Sequence, residues 1–201
     1  MYQVKQRLMY DTLINYINSR VSRPLTLDEI GILKNNFVHR KIKKRQTFLQ
    51  EGYISNNMGF LVKGAMKKYS IDAKGTEHIM SLYIEGWWVG DRESFAKITP
   101  SAFNIEACID TDLLVLTKNA AENVFSLPIM NELTRLLDEN YSYASQKRIN
   151  AALSMTAEER YNMLIDSYPE FTQRFPQQLI ASYLGITKET LSRIRSRAVK
   201  K

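Results

Sequence analysis

The residues best suited to recognition chemistry lie in a short stretch near the end of the chain. Lys188, Glu189, Ser192, Arg193 and Ser196 are charged or short polar groups, and helical spacing would bring them to one outward face. Side chains of these types can reach base edges or phosphates in a nucleic acid. The stretch therefore predicts a helix with a polar face that can read a duplex.

Two short helices that meet at a tight turn would position this face. The apolar residues on the inner faces are Leu179, Ile180 and Leu184 in the first helix, and Leu191 and Ile194 in the second. Gly185 follows the first helix, where a left-handed backbone favours glycine, and Thr187 offers a hydroxyl to cap the second. This pattern is typical of a DNA-binding helix-turn-helix. An ordinary helical hairpin has the same apolar spacing, but the polar outward face favours DNA.

Composition favours a polyanionic partner. The 201 residues can form one large or two small domains, and 44% hydrophobic content is normal for a packed core. The formal net charge is +7 and the pI is about 9.4. Cys108 is the single cysteine, which excludes a disulfide framework and a four-thiolate cluster. Because no apolar run approaches ~18 residues and the beginning does not resemble a secretory signal, we predict a cytoplasmic protein.

The rest of the chain changes from helical to β and back to helical. Residues 4–20 carry apolar side chains at helical spacing, and Thr26 with Glu29 has the spacing of a capping box. Between residues 38 and 116 short β-rich runs alternate with glycine or polar turns, which indicates an antiparallel barrel or sandwich. A hairpin turn is predicted at residues 72–75.

A long helical region beginning at Pro128 predicts a dimer interface. Its apolar stripe suits pairing with a second copy better than burial within one small domain. The residues predicted to form the dimer seam are Leu133, Leu137, Tyr141 and Ala144. The predicted domains are residues 1–127, with N-terminal helices and a β domain; 128–154, the dimerisation helix; and 155–201, the helix-turn-helix domain.

This order of elements resembles the Crp/Fnr family of bacterial transcription regulators, from about residue 26 to 201. The segments that carry the resemblance are 48–52 (FLQEG), 60–64 (FLVKG), 86–91 (GWWVGD), 100–102 (PSA) and 180–194. The resemblance implies an α+β fold class: an antiparallel β jelly roll of the cyclic nucleotide-binding type, a long dimerisation helix and an all-α helix-turn-helix domain.

In that family the recognition helix begins with a basic residue, then Glu-Thr, and an Arg four positions after the Glu. The matching residues here are Lys188, Glu189, Thr190 and Arg193. A carboxylate can accept from a cytosine amino group, and a guanidinium can donate twice to guanine. The resemblance implies base reading by Lys188, Glu189, Ser192 and Arg193. The predicted contacts to the DNA backbone are Gln177, Gln178, Ser182, Thr187, Arg195, Arg197 and Lys200.

The implied partners are double-stranded DNA, a second copy of the chain and RNA polymerase, with no membrane. A dimer would present two recognition helices about one DNA turn apart, so the target should be a near-palindrome.

The residues that correspond to the family's effector-binding pocket differ from the family pattern. Members that bind cyclic AMP use a Gly-Glu for the ribose and an Arg-Ser for the cyclic phosphate. Here Gly90 precedes the shorter Asp91, and Ser101 follows Pro100, which cannot neutralise a phosphate. The pocket residues that the resemblance implies are Gly90, Asp91, Arg92, Ser101 and Ala102. We therefore expect no cofactor and no control by cyclic AMP, and leave open whether another small molecule is sensed.

Two other functions compete with DNA binding. A cupin-type metalloenzyme shares the jelly roll, but it needs clustered His and carboxylate ligands, and His39 and His78 lie far apart. We therefore predict no metal site, no catalytic residues and no enzyme activity. A small-molecule-sensing module that acts through a protein partner would use the last helices for docking. It predicts weak DNA binding indifferent to sequence, whereas the DNA hypothesis predicts salt dependence and a site preference.

Overall fold

The computed structural model describes the backbone of residues 2–198 and the side chains of residues 7–197. In chain order the elements are α1 (Tyr2–Asn18), α2 (Leu27–Asn36), β1 (Phe37–Ile42), β2 (Thr47–Leu49), β3 (Asn57–Lys63), β4 (Met66–Ile71), β5 (Glu77–Tyr83), β6 (Trp88–Val89), α3 (Arg92–Lys97), β7 (Asn104–Ala107), β8 (Thr111–Thr117), α4 (Lys118–Phe125), α5 (Pro128–Ser154), α6 (Ala157–Ser167), α7 (Phe171–Arg174), α8 (Gln177–Tyr183) and α9 (Lys188–Ala198). The sequence prediction lacked β6, α3, α4 and α7, which are too short to show a clear period.

Helix α2 begins at the capping box that the sequence predicts. The Thr26 hydroxyl accepts from the Glu29 N–H at 3.3 Å, and the Glu29 carboxylate accepts from the Thr26 N–H at 2.8 Å. Arg23 donates two more hydrogen bonds to the same carboxylate, at 2.7 and 2.8 Å. The Arg23 guanidinium is the main reason why the pKa of Glu29 falls from 4.5 to about 2.

The strands of the described chain form two four-stranded sheets, ordered β1-β8-β3-β6 and β2-β7-β4-β5. The pairs β1–β8, β3–β8, β3–β6 and β2–β7 are antiparallel. Strand β8 is buried on both faces: Leu114 and Leu116 join a core with α1 and α2, while Leu113 and Val115 join the core between strands. Alternate residues of a strand point to opposite sides. Because both sides of β8 are buried, its apolar residues form a continuous run in the sequence instead of an alternating one.

The turn between β4 and β5 is the hairpin predicted at residues 72–75. Gly75 has a φ of +80°, and its N–H donates to the Asp72 carbonyl at 2.9 Å. The Asp72 carboxylate accepts from the backbone of Lys74 and Thr76 at 2.9 Å each, and His78 Nε2 lies 2.8 Å from it. The hydrogen bond with His78 is the main cause that lowers the pKa of Asp72 to about 2.

The chain packs as two compact units, and their boundaries differ from the predicted ones at 127/128 and 154/155. One unit contains the chain up to Lys68 together with Tyr83–Asp138, and the other contains Tyr69–Leu82 together with the chain from Glu139 onward. The start of α5 belongs to the β unit because three of its apolar side chains are buried in that core: Ile129, Met130 and Leu133.

The second unit is built mainly from helices around aromatic and aliphatic side chains. Its buried residues include Tyr161, Leu164, Phe171, Phe175, Ile180, Leu191 and Ile194. Helix α6 begins at the predicted capping box of Thr156 and Glu159. The short helix α7 occupies the segment between α6 and α8. In the described part of the chain, no helix is long and apolar enough to cross a membrane.

Candidate nucleic-acid interface

Helices α8 and α9 meet at the turn that the sequence predicts. The Gly185 N–H donates to the Ser182 carbonyl at 3.0 Å, and the Ile186 N–H donates to the Ala181 carbonyl at 3.0 Å. These are the two hydrogen bonds of a Schellman motif, which needs a left-handed residue just past the helix end. Gly185 has a φ of +68°, where glycine carries no side-chain penalty. The turn therefore ends α8 at a defined residue and sets the direction of α9.

Arg160 also stabilises this turn, a role that was not predicted from the sequence. Its guanidinium donates from Nη2 to the Leu184 carbonyl at 3.3 Å and from Nη1 to the Met155 carbonyl at 3.0 Å. One side chain of α6 thereby satisfies a carbonyl at the end of α8. Only the long reach of arginine across the packed helices makes this contact, so local spacing carries no signal for it.

Helix α9 separates an inner apolar face from an outer polar one. Leu191 and Ile194 are buried, whereas the four residues predicted to read bases are exposed: Lys188, Glu189, Ser192 and Arg193. The Thr187 hydroxyl accepts from the Thr190 N–H at 3.2 Å, which is the predicted cap of α9. That the four outer side chains read bases stays a prediction.

Hydrogen bonds within α9 organise part of its outer face. The Arg193 Nη2 donates to the Thr190 hydroxyl at 3.3 Å, one helical turn earlier. The pKa of Glu189 is lowered, first by its own backbone N–H and next by the Thr187 hydroxyl. Glu189 is therefore ionised and acts purely as an acceptor near neutral pH.

The predicted contacts to the DNA backbone fall into different environments. Gln178 and Arg197 are exposed, while Gln177 and Arg195 are half-buried. Thr187 uses its hydroxyl as the cap of α9. Lys200 lies outside the described residues. The contact of Ser182 with DNA stays a prediction, and in this structure its hydroxyl is hydrogen-bonded to strand β5: it accepts from the Ile79 N–H at 3.1 Å and donates to the Glu77 carbonyl at 3.3 Å.

In the β unit, the two residues that the resemblance assigns to a ligand bind each other instead. The Ser101 hydroxyl donates to the Asp91 carboxylate at 2.6 Å, and both side chains are buried. Lys68 Nζ lies 3.7 Å from the other Asp91 oxygen and 4.1 Å from the centroid of the Phe103 ring. Burial lowers the pKa of the Lys68 ammonium, and the charge of Asp91 opposes that shift. The sequence did not single out Lys68.

The other predicted pocket residues, Gly90, Arg92 and Ala102, have different surroundings from Asp91 and Ser101. Arg92 forms an ion pair with Asp138, and Ala102 is exposed. Gly90 lies close to the Met58 side chain, whose sulfur would have to move to accommodate a Cβ there. A cavity of about 310 Å³ lies elsewhere, lined by residues 47–50 and 53–57, and contains none of the five predicted residues. The predicted effector pocket stays a prediction, with Asp91 and Ser101 bonded to each other and Arg92 paired with Asp138.

The predicted dimer seam on α5 also needs correction. Leu133 is only 1% exposed and Leu137 is packed against the same core, so both serve the fold of their own unit. Tyr141 is 61% exposed, and Ala144 is also exposed. The large apolar side chains exposed on α5 are Tyr141, Tyr143, Ile149 and Leu153.

No cluster of three or more metal-binding side chains occurs among the described residues. The two histidines of the chain each lie beside a different carboxylate: His39 Nε2 is 2.8 Å from Asp112, and His78 Nε2 is 2.8 Å from Asp72. Neither arrangement offers the convergent ligands that a cupin-type centre requires.

Comparison with known proteins agrees with this architecture. Residues 39–126 match the family model described as the cyclic nucleotide-binding domain. The chain is 28% identical over 201 residues to the anaerobic regulatory protein of Haemophilus influenzae, which covers 89% of this chain and 75% of that protein. It is 26% identical over 194 residues to the fumarate and nitrate reduction regulatory protein of Escherichia coli K12, covering 89% and 77%.

Solved structures share the fold. FixK2 from Bradyrhizobium japonicum superposes with a TM-score of 0.67 at 19% identity, covering 82% of this chain and 85% of that one. The catabolite activator protein of Thermus thermophilus gives 0.53 at 18% identity, covering 88% and 84%. The shared architecture is an antiparallel cyclic nucleotide-binding fold followed by helices, and the predicted α+β fold class is confirmed. Within that class, the chain is similar to regulators of the Crp/Fnr family. The relatives are named as regulatory proteins rather than enzymes.

Proposed function

We propose that the chain is a sequence-specific DNA-binding transcriptional regulator that works as a homodimer on a near-palindromic site. The observation that carries the proposal is the division of α9 into a buried face, with Leu191 at 0% exposure, and an exposed polar face. A helix anchored by the Schellman turn can enter the major groove without losing its own packing. Lys188, Glu189 and Arg193 would then read base edges.

The exposed side of α5 supports a second copy of the chain as partner. Tyr141, Ile149 and Leu153 are 61%, 59% and 83% exposed and fall on one side of a helix of 27 residues. Apolar side chains repeated along one long helix lose water when an identical helix covers them. A two-fold axis along α5 would also give two recognition helices, as a palindromic site requires.

Selection of bound sequences from random duplex DNA tests the proposal. We expect a near-palindromic consensus, and an affinity that falls steeply as salt rises, because phosphate contacts release counterions. Measuring the same salt series on an unselected duplex separates the base-specific part of the affinity from the part that comes from phosphate contacts. Weak binding with no enriched sequence would favour the alternative, a module that acts through a protein partner.

We further propose that cyclic AMP does not control this regulator. The bond of 2.6 Å between Ser101 and Asp91, and the ion pair of Asp91 with Lys68, already use the groups that a cyclic nucleotide would need. A ligand would have to break buried interactions and bring a phosphate to a place where Pro100 offers no donor. Calorimetric titration with cyclic AMP tests this. We expect no saturable heat at millimolar nucleotide, and saturable binding would contradict the proposal.

A further inference from the structure

Ser182 of helix α8 is held by strand β5 through both roles of its hydroxyl. It accepts from the Ile79 N–H at 3.1 Å and donates to the Glu77 carbonyl at 3.3 Å. The residues belong to one compact unit, since Tyr69–Leu82 packs with the chain from Glu139 onward. A serine hydroxyl has a single proton. While that proton is donated to Glu77, Ser182 cannot donate to a phosphate oxygen, which only accepts.

Arg148 of α5 reinforces the same contact. Its Nη1 donates to the Met80 carbonyl at 2.6 Å, and its guanidinium carbon lies 5.0 Å from the centroid of the Tyr183 ring. That distance is within the range of a cation–π interaction. We call Ser182, Tyr183, Arg148 and the backbone of residues 77–80 the clasp.

The clasp also answers a structural need of the hairpin. Strand β5 is the last strand of its sheet, in the order β2-β7-β4-β5. An edge strand presents backbone N–H and C=O groups without a strand partner, and proteins cover such edges with other elements. The hydrogen bonds with Ser182 and Arg148 engage three backbone groups of β5. The hydrogen bonds to Ser182 therefore also stabilise the hairpin.

We propose that the clasp and DNA compete for the Ser182 hydroxyl, so that the clasp restrains DNA binding and its release strengthens it. This inference rests on the proposed function, in which α8 lies against the DNA backbone. Competition is reciprocal: DNA opens the clasp by the same factor by which the clasp weakens DNA binding. A change of about three- to tenfold is expected, the factor that one or two neutral hydrogen bonds represent.

Substitution of Arg148 tests the restraint without touching the hydroxyl. We expect Arg148→Ala to speed exchange of the Ile79 amide proton in the free protein, followed by NMR, and to tighten binding to the selected duplex about threefold or more. The matched control is Lys147→Ala, an exposed neighbour on α5 that loses the same charge. Sedimentation at the assay concentration verifies that both variants keep the oligomeric state of the wild type.

A double-mutant cycle with Ser182→Ala tests whether the hydroxyl is the shared group. In the Ser182→Ala background, Arg148→Ala should no longer tighten binding, because no hydroxyl is left to release. Adding the selected duplex to the wild type should speed exchange of the Ile79 amide, whereas ligand binding ordinarily slows exchange.

The outcomes separate the two proposals. If the wild type selects a duplex but Arg148→Ala behaves as Lys147→Ala does, the competition is overturned and the proposed function stands. If Arg148→Ala tightens binding equally in the wild-type and the Ser182→Ala backgrounds, the competition is overturned as well. If the wild type prefers no duplex, both proposals fail.

Discussion

Replacing Arg193 with alanine should erase preference for one base pair without weakening the fold. The side chain is exposed on α9, and the residues that hold the helix, Leu191 and Ile194, point inward. Its Nη2 is 3.3 Å from the Thr190 hydroxyl, so the guanidinium is partly oriented before DNA arrives. A bidentate contact to guanine contributes ~1–3 kcal/mol of discrimination, or roughly 5- to 150-fold. In a dimer the effect applies once in each half-site.

The assay is competition among duplexes in which each half-site position carries each of the four base pairs in turn. The wild type should favour guanine at one position, and Arg193→Ala should flatten the preference there while leaving the others. Arg197→Ala is the matched control, since it removes the same charge from an exposed position of the same helix. It should weaken binding to all sequences alike and make the salt dependence shallower, by about 0.9 in the logarithmic slope for each phosphate that is no longer neutralised.

The reasoning fails if Arg193→Ala leaves the ranking of base pairs unchanged. A uniform decrease in affinity, with a shallower salt dependence, would instead place Arg193 against a phosphate. Unfolding in urea should give equal midpoints for the wild type and both variants, which excludes unfolding of the helix as the cause.

Other substitutions test further parts of the structure. Leu153→Asp, at a position 83% exposed, should produce monomers in sedimentation, whereas Leu133→Ala, at 1% exposure, should lower the free energy of unfolding by about 2–5 kcal/mol. The pKa of Glu29 is about 2 in the fold against 4.5 otherwise, so its ionised form stabilises above pH 4.5 and that contribution disappears as pH falls toward 2. Because Arg23 is half-exposed and its charge is screened by water, Glu29→Gln should lower the free energy of unfolding by only on the order of 1–2 kcal/mol at pH 7, and by little at pH 2, in urea titrations. Gly185→Ala should cost about 1–2 kcal/mol in the same titrations, because φ is +68° there, and Gly185→Asn should cost less.

The features that could be predicted from sequence are those whose partners are close in the chain. The capping box of Thr26 and Glu29, the cap of α9 by Thr187 and the turn at Gly185 each join residues at most five positions apart. Their geometry depends on backbone hydrogen bonds with fixed offsets. The long helix Pro128–Ser154 has the predicted ends because its first residue is a proline and a new cap follows it.

Residues whose partners are remote could not be assigned in the same way. Leu133 and Tyr141 belong to one apolar stripe, yet the first is buried in the β unit and the second is exposed. Helical spacing gives the face of a residue but not the element that covers it. Lys68 escaped prediction for a related reason, since a buried ammonium is recognisable only once Asp91 is found beside it.

Ser182 illustrates how a correct residue type can conceal a second role. A small hydroxyl near the start of a helix-turn-helix suits a phosphate, and it equally suits a carbonyl of a strand edge 105 residues earlier in the chain. Strand β4 leads from Lys68, at the Asp91 pair, into the hairpin that binds Ser182, so the boundary between the two units falls within one strand. Because a hydroxyl suits both acceptors, residue type alone could not decide between a phosphate and the strand, and only the contact of α8 with β5 assigns its partners.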